Sequence, residues 1–119
     1  MNNHFKRIAS KEALDELMAR SNKEPVAVFK HSTTCPVSAN AYNELEKFPG
    51  EVALIEVQGA RALSTEIGAL TGVPHESPQV LILRNGKAVW HASHWKVTSQ
   101  ALEQAMREHV YFPLRDAQR

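Results

Sequence analysis

Between Val26 and Ser38 the chain reads Val-Ala-Val-Phe-Lys-His-Ser-Thr-Thr-Cys-Pro-Val-Ser, and this stretch limits the fold more than any other. Val26 to Phe29 is a short, β-branched-rich apolar run behind Pro25, the pattern of a buried strand. Lys30 to Thr34 is polar and reads as a loop. Pro36 then suits the first position of a helix, where its missing N–H would have had no partner and its φ is already helical. Cys35 is thereby set at a helix N-terminus, among unpaired backbone N–H groups and the positive end of the helix dipole. Negative charge is stabilised there, and a thiolate is such a charge. The only cysteine of the chain therefore stands where cysteines become reactive.

The rest of the sequence repeats the strand-to-helix theme. Phe5 to Ile8 reads as a short edge strand. Ser10 is an N-cap for a helix from Lys11 to about Ser21, with Leu14, Leu17 and Met18 at helical spacing. The helix from Pro36 runs to about Phe48, with Ala41, Leu45 and Phe48 on one face, until Pro49-Gly50 stops it. Val52 to Val57 is a second buried strand. Arg61 to Thr71 is a helix with Leu63, Ile67 and Leu70 inward, closed by Gly72. A loop, Val73 to Pro78, leads into the strand Val80 to Leu83. Asn85-Gly86 then marks a tight hairpin, because both residues tolerate positive φ, and Val89 to Ala92 returns antiparallel. A last helix spans Thr98 to about Val110 with Leu102, Ala105 and Met106 on one side, and the tail from Pro113 is expected to be loosely held.

The order β-α-β-α-β-α-β-β-α gives an α/β domain with a central mixed sheet and, through right-handed crossovers, helices on both faces. With a cysteine opening the helix after the second strand, this is the thioredoxin layout. Pro78 adds to it, standing where thioredoxin-like folds carry a cis-proline facing the active cysteine. At 119 residues the chain is one domain, residues 1–119. Fourteen basic residues against 13 acidic ones leave a net charge of +1, which gives no reason to expect nucleic acid or an anionic membrane as partner. No apolar run approaches the ~20 residues of a membrane helix, and the first residues lack the apolar stretch of an export signal. A single cysteine cannot form an internal disulfide, so a reducing cytoplasm is the expected setting.

Three longer motifs carry a resemblance. His31-Ser-Thr-Thr-Cys-Pro-Val-Ser38, His75-Glu-Ser-Pro-Gln79 and Asn85-Gly-Lys-Ala-Val-Trp-His-Ala-Ser-His-Trp95 closely resemble the YtxJ-like monothiol bacilliredoxins, over about Phe5 to Met106. The resemblance implies a thioredoxin fold and a thiol–disulfide oxidoreductase that takes bacillithiol off proteins carrying it as a mixed disulfide. Cys35 would be the catalytic residue. Bacillithiol, or another low-molecular-weight thiol, would be a co-substrate with no tightly bound cofactor, and S-thiolated client proteins would be the partners. Ser38 occupies the place where dithiol oxidoreductases keep their resolving cysteine. Nothing else in the chain can resolve an adduct on Cys35, so resolution must come from outside.

Around Cys35 the supporting or thiol-binding candidates are Thr34, Pro36, Ser38, His75, Ser77, Pro78 and His94. His75 and His94 border the cysteine in thioredoxin-like folds, against which stands an ordinary role as loop histidines. Lys30 and His31 either supply positive charge near the sulfur or are simply solvated, and His4 and His109 are expected to be solvated. One cysteine excludes the multi-cysteine zinc patterns, and no metal site is expected. Trp90 and Trp95 fit core or rim packing. Gly59-Ala-Arg61 opens a helix, an anion-site candidate set against a plain turn. Three other readings stay open: a buried structural thiol, which the polar loop and Pro36 disfavour; an iron–sulfur carrier of the monothiol-glutaredoxin type; and a thioredoxin-like interaction module without turnover.

Overall fold

Alternating apolar runs and amphipathic stretches fold as a strand–helix series closed by a hairpin. The computed structural model describes residues 4–117, with side chains through 109. The elements are β1 (Phe5–Arg7), α1 (Lys11–Arg20), β2 (Val26–His31), α2 (Pro36–Glu46), β3 (Val52–Glu56), α3 (Arg61–Thr71), β4 (Gln79–Arg84), β5 (Lys87–Ser93) and α4 (Ser99–Ala117), with a 3₁₀ turn at His94–Lys96. The sheet order is β1-β3-β2-β4-β5. β3 pairs parallel with β1 and β2, whereas β4 is antiparallel to both β2 and β5. This is the expected mixed sheet, with β2 near its centre.

Two apolar layers hold it. Val28, Ala53, Ile55, Leu81 and Leu83 meet Leu14 and Leu17 of α1 and Leu63 and Ile67 of α3 on one face. On the other, Phe29, Leu54, Val80 and Ile82 meet Ala41 and Leu45 of α2 and Leu102 and Ala105 of α4. The period of two along each strand sorts the side chains between the layers. Each large apolar side chain so buried contributes about 1.5–3 kcal/mol. Asn85 and Gly86 turn the β4–β5 hairpin at φ 57° and 74°. Ser21 ties that hairpin to the end of α1, its carbonyl accepting from Asn85 N at 2.7 Å and its Oγ from Gly86 N at 2.9 Å.

Five expectations need correction. β2 does not stop at Phe29: Lys30 pairs with both Ile55 and Gln79, and His31 with Glu56, so the central strand absorbs them and both are buried. Leu70 is exposed, because Val73 beyond the left-handed turn at Gly72 takes the core position instead. Trp95 is also exposed, at 66 %, whereas Trp90 packs on the α2–α4 layer as expected. His4 is bonded rather than solvated, its Nε2 lying 3.0 Å from Leu45 O. α4 continues past the expected end near Val110, and the side chains of the tail from Pro113 lie outside the described residues. Among the described residues no helix is long and apolar enough to cross a membrane.

Candidate active site

Leaving β2, the chain makes a short loop, Ser32 to Thr34, and enters α2 at Cys35. Cys35 is the N-cap, extended at φ −106° and ψ 124°, with Pro36 in the first turn. Its carbonyl accepts from Ala39 N at 2.9 Å and closes that turn. Its side chain makes no capping bond, and the first turn holds no acidic residue. The thiol is free and partly exposed. The unpaired N–H groups of the helix start are therefore left to whatever charge the sulfur carries.

The position one turn along is a joint rather than a spare. Ser38 is fully buried. Its Oγ accepts from Ser32 N at 2.9 Å and lies 2.8 Å from His31 Nδ1. A buried hydroxyl that accepts from Ser32 has its own proton to place, and Nδ1 is the acceptor beside it. With Ser38 donating, the ring in this pair is a neutral imidazole. Burial indeed holds the His31 pKa below the ordinary value, against a weaker opposite pull from Glu56. Phe29 and Tyr42 pack on the ring, with centroids 5.4 and 5.0 Å away. His31 is thus a buried strut whose charge is disfavoured by burial, not the solvated loop histidine that was one expectation for it.

A second brace comes from the loop after β3. Because β2 and β3 run parallel, their outgoing loops lie side by side, and Gln58 reaches across. Its Oε1 accepts from Thr33 N at 3.1 Å, while its Nε2 donates to Ser32 Oγ at 2.8 Å and Thr34 Oγ1 at 3.2 Å. One side chain holds the three residues before Cys35. Nothing in the sequence pattern singled out Gln58; the parallel neighbourhood of the loops was the signal available.

The loop before β4 carries the remaining candidates. The Ser77–Pro78 bond is cis, as its position suggested. Pro78 O accepts from His94 N at 2.9 Å, and the turn that His94 opens packs against α2. His94 takes φ 57°, which lets the chain leave β5 and turn back at once. Buried Gln79 steadies the same corner, its Nε2 donating to Pro74 O at 3.1 Å and Ser93 Oγ at 3.3 Å. Thr34 and Pro36 flank Cys35 in the chain, Ser38 stands one helical turn along, and Pro78 and His94 are joined to each other. His75 Nδ1 lies 3.4 Å from the Nζ of Lys30. Among the described residues no cluster of three or more His, Cys, Asp or Glu is arranged to hold a metal ion.

The family model for the monothiol bacilliredoxin BrxC matches residues 6–102. The chain belongs to the monothiol bacilliredoxin family. Family and fold together point to a thiol oxidoreductase. A solved structure described as a candidate oxidoreductase with a thioredoxin fold is similar at 35% identity and TM-score 0.78, covering 86% of this chain and 93% of its own. Fasciola hepatica thioredoxin resembles this bacilliredoxin at 16% identity and TM-score 0.67, covering 87% of this chain and 98% of its own. A mutant thioredoxin from Halobacterium salinarum matches at 16% identity and TM-score 0.68, over 90% and 91%. These two bear on the fold alone.

Proposed function

We propose that the chain removes bacillithiol, or a similar small thiol, from proteins that carry it as a mixed disulfide in the cytoplasm, by a monothiol route through Cys35. The observation that carries this reading is the pairing of positions on α2. A free, partly exposed thiol opens the helix, and one turn later a buried, doubly hydrogen-bonded serine stands in place of a second thiol.

In the first step the Cys35 thiolate attacks the bacillithiol sulfur of the client's mixed disulfide. A new S–S bond joins Cys35 to bacillithiol, and the client cysteine departs as a thiolate that takes a proton from water. In the second, an external thiol attacks the Cys35 mixed disulfide as its thiolate. It leaves as a disulfide with bacillithiol, and Cys35 is released as thiolate. No net electrons stay on the chain, and the external thiol is the reductant. The helix N-terminus favours both steps, since Cys35 enters the first and leaves the second as an anion. Ser38 cannot attack the adduct, so the mixed disulfide waits for the external thiol.

Release of bacillithiol from an S-bacillithiolated client tests the reading. The native chain should turn over with added small thiol, and Cys35→Ser should show none above background. Turnover by Cys35→Ser would sink the assignment.

A further inference from the structure

On the face of β2 turned away from His31, Lys30 is fully buried. Its Nζ donates to Ser64 O at 3.3 Å and lies 3.4 Å from His75 Nδ1. No carboxylate of the described residues counters it, and burial pushes its pKa down to about 8, so the ammonium is still charged at neutral pH. Ser64 and His75 also line, with Val57, Arg61 and Thr65, a cavity of about 370 Å³.

Arg61 lines that cavity, and the Lys30 ammonium lies behind its Ser64 and His75. Arg61 opens α3, whose N-cap, Ala60, offers no side-chain bond and whose first turn has no acidic residue, so the leading N–H groups are left open. His75 is held below its ordinary pKa by desolvation first and then by the charges of Lys30 and Arg61, with only Glu76 opposing. Ser64 supplies the independent sign of a ligand. It is 2 % exposed, its N–H is spent on Ala60 O, and its Oγ has no hydrogen-bond partner among the described residues. A buried hydroxyl lining a positive cavity is a donor waiting for an acceptor.

We propose that this cavity binds a small oxyanion, a phosphate or a carboxylate group, taken by the Arg61 guanidinium and the Ser64 hydroxyl, above the positive field of Lys30. The site does not depend on the thiol exchange assigned to Cys35 and goes beyond it. Of the Gly59-Ala-Arg61 stretch, Arg61 lines it.

Amide spectra of the ¹⁵N-labelled full chain, titrated with inorganic phosphate and separately with succinate at ionic strength held by sodium chloride, test it. The expected result is a saturable shift confined to the amides from Arg61 to Thr65 and around His75. Saturation by phosphate alone, by succinate alone or by both supports the site and tells which oxyanion it takes. Arg61→Gln and Ser64→Ala should each weaken binding about fivefold to tenfold, as loss of one charge-assisted hydrogen bond does, while Cys35→Ser binds as the native chain. The absence of a saturable shift with either anion overturns the proposal, as do equal shifts from chloride alone or undiminished binding in both variants. Should Ser64→Ala fail to fold, Arg61→Gln, at an exposed position, carries the comparison by itself.

Discussion

Lys30 and His31 are neighbours on β2 and leave it on opposite faces, both basic and both buried. They meet burial differently. His31 gives up its charge: desolvation lowers its pKa, Ser38 Oγ sits 2.8 Å from Nδ1, and two aromatic rings close over it. Lys30 keeps its charge at neutral pH, held by one carbonyl and one imidazole. The neutral arrangement makes a stiff shelf, and the loop that delivers Cys35 rests on it. The charged one is a source of positive field behind a cavity. A polar pair at the end of one strand thus supplies rigidity to one face of the sheet and electrostatic bias to the other.

The sharpest way to break this comparison is to make the Lys30 side neutral. Moving a lysine from 10.5 to about 8 corresponds to roughly 3 kcal/mol. Loss of the bond to Ser64 O offsets about 1 kcal/mol of that. Lys30→Met should therefore stabilise the chain by about 2 kcal/mol at pH 7, measured by urea unfolding. Because the folded-state pKa is lowered, the penalty of the buried ammonium is full below about pH 8 and relieved as pH rises from there to 10.5. The gain of the variant should fade over that window. A destabilised Lys30→Met at pH 7 would show that the ammonium is well solvated or paired.

The His31 side should respond with the opposite sign. Ser38→Ala strands a part-buried N–H of Ser32 and the Nδ1 of His31, and should cost about 1–2 kcal/mol. Equilibrium unfolding would measure it, and a neutral outcome would contradict the role of the joint. Acid gives a gentler check. His31 and His75 both titrate below their ordinary 6.5 in the folded chain, so the unfolded chain binds protons first as pH falls. Stability should decline as pH drops below about 6.5. Replacing His31 or His75 with a residue that does not titrate should flatten part of that decline; a native chain equally stable at pH 7 and pH 5 would count against it.

Much of this was legible in the residues. Period-two and helical spacing gave the element order, Asn85-Gly86 the hairpin, and Cys35-Pro36 the start of α2. The end of β2 was not legible, because a lysine and a histidine look like loop until two partner strands claim them. Leu70 was misread because its helical phase is right while the chain turns away at Gly72. Gln58 was missed because its three bonds exist only once β2 and β3 lie parallel.

The smallest predicted effect belongs to that glutamine. Gln58→Ala removes the three exposed bonds and should change stability by less than about 1 kcal/mol. A loosened loop should nonetheless slow disulfide exchange at Cys35 by about two- to fivefold, because a misplaced nucleophile loses orientation. Stopped-flow reaction with a chromogenic disulfide reads this, and an unchanged rate would reduce the brace to decoration.

The central claim is that one thiol on α2 takes up a small thiol and depends on an outside thiol to release it. Intact mass after incubation with oxidised bacillithiol measures it directly. The account predicts a single bacillithiol adduct on the native chain and none on Cys35→Ser. The adduct should persist after the excess is removed and vanish only on adding a reducing thiol. An unmodified native chain, an adduct on Cys35→Ser, or an adduct lost without added thiol would contradict it.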